Sequence, residues 1–181
     1  MPYTVFESTN MNSSYRGGER IFDAIADVDI ENGTFGYLNG LKTGYTNVYN
    51  FVKGTSSGKE VVVADNPAWS EDTSRITNQR RDKYIIPAGT VFRVRVVKFD
   101  DEFGITIDGV TSASQANMDV GAYVTIDSST GKLVAAASPA STPVMEATVM
   151  RKRVVGGTLA TAAHNYGYSV NMFECKVTTL A

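Results

Sequence analysis

The chain has 181 residues, 43% of them hydrophobic and 20% charged, with a formal net charge of −2 and a pI near 5.4. That length and apolar content suit one large domain or two small ones that bury a core without metals or disulfides, and they exclude a disordered chain. The mildly acidic balance argues against nucleic acid as the main partner, because phosphate backbones select strongly basic surfaces. No apolar stretch approaches the roughly 20 residues of a membrane helix.

Residues 1–20 are polar and rich in Ser, Thr and Asn, with Gly17-Gly18 near their end. They read as an extended N-terminal arm carrying one short strand at Tyr3–Phe6, with Tyr3, Phe6 and Tyr15 as aromatic anchors for a partner. An edge strand of the same domain is the alternative. The opening MPYTVFESTN has no charged stretch leading into an apolar run, so synthesis and retention in the cytosol are expected.

In Ile21–Ile30, Phe22, Ala24, Ala26, Val28 and Ile30 alternate with Asp23, Ile25, Asp27 and Asp29, which predicts a strand. Asn32-Gly33 tolerates positive φ, so Thr34–Leu38 is expected to return as the second arm of a hairpin. Tyr45–Val52 and Glu60–Ala64 are further strands around the tip 54–58. Residues 65–83 are polar, and a loop with one short helical turn from Ser70 is expected there.

Pro87-Ala88-Gly89 introduces the strand Thr90–Lys98, whose Val91, Arg93 and Arg95 face opposite to Phe92, Val94 and Val96, one face core and the other wet. Phe103–Ile107 returns after the charged turn 100–102. Residues 111–119 look like a linker between a first β-rich part (21–110) and a second (120–181). The second part has Tyr123–Ile126 and Lys132–Ala136 about the turn 127–131, then Val144–Val155, a turn at Gly156-Gly157, and a last strand near Met172–Val177. Many short antiparallel strands with Gly-centred turns point to an all-β, or at most β-rich α+β, compact barrel or sandwich.

Catalytic chemistry is hard to assemble from these residues. His164 is the only histidine and Cys175 the only cysteine, which removes multi-histidine metal sites, cysteine zinc sites and intramolecular disulfides. Alternation places Cys175 beside Phe173 and Val177 as a small buried hydrophobe. Asp23, Asp27 and Asp29 share a strand face without the spacing of a calcium loop, and no Gly-rich phosphate loop is present. No cofactor and no enzymatic activity are therefore expected. Two basic runs, Arg80-Arg81 and Arg151-Lys152-Arg153, are candidate protein contacts, with Arg151 and Arg153 on one face.

Four segments in order resemble small head proteins of tailed phages. They are Ala26-Asp27-Val28-Asp29-Ile30-Glu31-Asn32-Gly33; Pro87-Ala88-Gly89-Thr90-Val91-Phe92 with Phe103-Gly104-Ile105-Thr106; Val120 to Asp127 with Thr130-Gly131-Lys132-Leu133-Val134; and Val144 to Leu159 with Phe173–Leu180. Together, over about residues 21–181 with 40–85 outside the pattern, they are similar to capsid decoration, or cement, proteins. The resemblance implies a compact β fold on the outer capsid surface that clamps neighbouring major capsid protein subunits, often as a trimer, without nucleic acid or membrane. It implies a virion protein, made in the cytoplasm of the bacterial host. Tyr3, Phe6, Tyr15, Arg80, Arg81, Arg151 and Arg153 are the candidate contact residues. Deleting residues 1–16 is expected to weaken attachment without unfolding the body. Another virion part (head fibre base, head–tail adaptor or tail protein) and a small-molecule or glycan-binding module with Trp69 as a platform are the competing readings.

Overall fold

Each β candidate read from the sequence overlaps a strand in the computed structural model, which describes residues 3–12, 20–67, 81–155 and 170–181; the strand expected over Ile21–Ile30 ends at Ile25, and the one expected at Tyr3–Phe6 falls at Phe6–Glu7. The elements are β1 (Phe6–Glu7), β2 (Ile21–Ile25), β3 (Phe35–Leu41), β4 (Val48–Lys53), β5 (Val61–Ala64), β6 (Val91–Val96), β7 (Glu102–Thr106), β8 (Tyr123–Ile126), β9 (Leu133–Ala136), β10 (Met145–Val155) and β11 (Val170–Leu180). Helical structure among the described elements is limited to short 3-10 turns, so the chain is all-β.

Two sheets form. β2-β4-β3-β5-β6 close into a barrel, with β2 and β4 parallel and the other pairs antiparallel. A barrel this narrow is filled by side chains. Ala24, Phe51, Val62, Phe92 and Val94 do so, with the Phe51 and Phe92 rings edge-on at 5.4 Å. The second sheet is open and six-stranded, in the order β1-β7-β11-β10-β8-β9.

One sequence expectation fails inside the barrel. Asn32-Gly33 does turn the chain, with Gly33 at φ +77°. Yet β3 returns beside β4 and β5, not beside β2. Closure gives both sides of β2 to β4 and β6, so no local hairpin partner is left for it.

A second correction concerns β6. Val91 is exposed, whereas Arg95, expected on a wet face, is buried and bonded through Nε to the buried Asp65 carboxylate. Ser8 Oγ donates to the same carboxylate at 2.7 Å, so residues from the start of the chain reach this face of the barrel.

Residues 3–12 are built into the body. Tyr3 N–H donates to Asp82 O at 2.8 Å, and Thr4 gives both its N–H and its hydroxyl to Glu31 Oε2. β1 pairs with β7, and Asn12 donates its N–H and its side-chain amide to the buried Asp101 carboxylate. The described part of the segment thus takes the edge-strand form. Deleting residues 1–16 would remove Phe6 and Met11 from the core, so it would unfold more than it tests.

The two sheets share their largest apolar cluster. Phe35, Val61 and Val63 from the barrel pack with Phe103, Ile105, Val124, Leu133 and Phe173 from the open sheet. The division between sheets falls at residues 97–101, ahead of the 111–119 segment, which is a loop between β7 and β8. The β8–β9 turn seats on the barrel: Phe35 N–H donates to Gly131 O, and Gly54 N–H to Phe35 O. An added Cβ would lie 1.9 Å from Ser128 O at Gly54 and 2.2 Å from Phe35 O at Gly131, both at positive φ. Only glycine fits this seam.

Candidate functional site: an ionic row beside an open sheet edge

The open sheet presents a charged outer face. Register aligns Glu7 of β1, Gly104 of β7, Glu174 of β11 and Arg151 of β10 in one row across four strands. Arg151 donates Nε to Glu174 Oε2 at 2.8 Å and Nη2 to the same oxygen. Arg153 approaches Glu174 Oε1 with Nε at 2.9 Å and binds Glu7 through Nη2. Arg81 continues the chain, 3.5 Å from the other Glu7 oxygen, and donates to Phe6 O at 2.8 Å.

Gly104 lies in the middle of this row, where an added Cβ would sit 3.2 Å from Met172 Sδ and 3.3 Å from Glu7 Cβ. A groove of about 390 Å³ results, with Met150, Arg151 and Arg153 on one side and Thr9 and Asn10 among its other walls.

β10 supplies the second feature. Its β8 side is paired only over Glu146–Thr148, and the last bonds there are Val149 N–H to Ala122 O and Gly121 N–H to Val149 O. From Arg151 to Val155, β10 pairs with β11 on one side and with no described strand on the other, and Met150 sits in a bulge of the β11 pairing. Met150 is 56% exposed and Val154 64%. On the opposite face to Arg151, Lys152 covers the Phe173 ring at 5.6 Å and lies 3.8 Å from Asp119.

The structure therefore brings three of the sequence candidates together: Arg81, Arg151 and Arg153 belong to one ionic chain. Phe6 is corrected. It is 3% exposed and packs on Phe35 and Phe103, because strand alternation turns it inward while Glu7 faces out. Tyr3 is half-buried, held by its backbone to Asp82. Tyr15, Arg80, Trp69, His164 and the Gly156-Gly157 turn lie outside the described residues. Sequence reasoning missed Glu7, Gly104 and Glu174, whose alignment depends on pairing between distant strands. The signal available was the alternation of Glu174 with Phe173 and Cys175.

The titratable groups here are structural in character. Cys175 is buried beside Phe173 and Val177, and desolvation, helped by the Glu174 charge, pushes its thiol far above the ordinary range. Asp127 accepts from the hydroxyls and N–H groups of Thr130 and Ser129, which hold its carboxyl down at about 2. Asp27 pairs with Lys42, and Asp29 accepts from Ala88 N–H. Among the described residues no three His, Cys, Asp or Glu side chains converge to hold a metal ion. No family model, curated protein or solved structure matches the chain.

Proposed function

We propose that this chain is a structural virion protein that decorates and stabilises a tailed-phage capsid, bridging major capsid protein subunits from the outer surface. The observation that carries the reading is the pairing of a closed barrel with an open sheet in which, among the described residues, the β8 side of β10 has no partner strand beyond Val149. A closed barrel is inert to strand addition, whereas an open edge is a surface made for contact with another chain. The ordered motifs that resemble decoration proteins supply the capsid as that partner. Three of those motifs occupy defined structural positions: the Asn32-Gly33 turn, the Pro87–Gly89 turn into β6, and the β8–β9 hairpin.

In this reading the body acts mechanically. Apolar contacts supply affinity, charges set orientation, and many copies on one lattice turn modest single-site affinity into shell stabilisation. A trimer at a local symmetry axis is the arrangement that the resemblance implies.

Co-sedimentation with assembled capsids tests it. The wild-type chain is expected to pellet with capsids, and the Arg151→Glu, Arg153→Glu double variant to pellet less, with a weaker dependence on salt. Absence of the wild-type chain from pelleted capsids would overturn the reading.

A further inference from the structure

We propose that the open edge of β10, residues 150–155, captures an extended acidic segment of a partner protein as an added strand. The inference rests on the partner-binding reading above and names the chemistry of the contact.

Three observations carry it. First, among the described residues, the backbone of β10 beyond Val149 has ladder partners on the β11 side only. Unpaired backbone N–H and C=O groups in a row are a template for another strand. Second, the edge reads Met-Arg-Lys-Arg-Val-Val, three cations between apolar residues, of which Arg153 is held between Glu7 and Glu174, Lys152 lies 3.8 Å from Asp119, and Arg151 shares Glu174 with Arg153. Arg151 is 69% exposed in its side chain and engages Glu174 through Nε and Nη2. Third, the same Met150, Arg151 and Arg153 form one wall of the outer groove, which can receive side chains of a strand laid along the edge.

Charge decides the occupant. If a second copy paired through this edge in antiparallel fashion, Arg151, Lys152 and Arg153 would oppose one another in every register centred on the run. Like charges directly opposite across a ladder are destabilising. An extended segment alternating acidic and apolar residues meets the same edge favourably on both faces.

The test uses the full chain and a fluorescently labelled short peptide alternating Val and Glu. Anisotropy is expected to report saturable binding, weakened about tenfold or more when every second peptide amide is N-methylated or when Lys replaces Glu, since ladder bonds and charge both contribute. Arg151→Glu should weaken it similarly, and amide exchange should slow at residues 150–155 on binding. Equal affinity for the N-methylated peptide, or no saturable binding of the acidic one, overturns the proposal. Capsid co-sedimentation separates the two ideas. A chain that pellets with capsids but ignores the peptide sinks only the strand-addition inference. A chain that binds the peptide but not capsids sinks the capsid reading and leaves this one standing.

Discussion

The barrel and the open sheet use the same building material to opposite ends. In the barrel every strand is paired on both sides, and its buried ion pair, Asp65 with Arg95, lies beneath residues from the start of the chain. In the open sheet, among the described residues, β10 beyond Val149 is paired on its β11 side alone, and its ion pairs, Arg151 and Arg153 with Glu174 and Glu7, lie at the surface. Closure converts backbone hydrogen-bonding capacity into stability, whereas an open edge keeps that capacity available for a partner.

Several perturbations sharpen this contrast. The largest effect should come from Phe6→Ala, which removes the ring wedged between Phe35 of the barrel and Phe103 of the sheet. A loss of about 3–5 kcal/mol is expected in denaturant unfolding. A far smaller loss would mean that the two sheets do not share one core.

Gly131→Ala attacks the same seam through the backbone. The new Cβ meets Phe35 O at 2.2 Å and the φ of +70° disfavours it. We expect about 3 kcal/mol of destabilisation. The Gly121→Ala control, at positive φ with open space around it, should cost about 1–2 kcal/mol.

The ion pairs provide the direct comparison. Asp65→Ala leaves Arg95 buried without its carboxylate and should cost about 3 kcal/mol. Glu174→Gln, on the exposed row, should cost about 1 kcal/mol or less and diminish further in high salt. Equal costs would erase the distinction drawn between the regions.

The smallest effect concerns pH. The Asp127 carboxyl titrates at about 2 in the folded chain, below its unfolded value of 3.8, because Thr130 and Ser129 donate to it. A depressed carboxyl adds stability that is present above the unfolded value and lost as pH falls toward 2. Thermal melts between pH 5 and 2 should show this loss, on the order of 1 kcal/mol after solvent screening. Asp127→Asn, which keeps the acceptor but cannot titrate, should flatten that part of the profile.

Much of the fold was legible in local sequence. The alternation in Thr90–Lys98, the Pro87-Ala88-Gly89 entry and the turn 127–131 each marked a strand or turn that the structure contains, because period-two spacing and turn chemistry act within a few residues. The basic run at Arg151–Arg153 was also legible as a surface feature. Its Glu7 and Glu174 partners were not, since they arrive from β1 and β11 through pairing with β7 and β10.

The amino-acid sequence by itself determined an all-β chain with few groups for chemistry and two basic runs. Only the tertiary structure decided that β3 abandons β2, that Arg95 is buried, that Phe6 is core, and that β10 runs on past its pairing with β8. Strand identity is a local property of spacing and side-chain type. Which strands adjoin, and which edge stays open, depends on barrel closure and on strand lengths far apart in the chain.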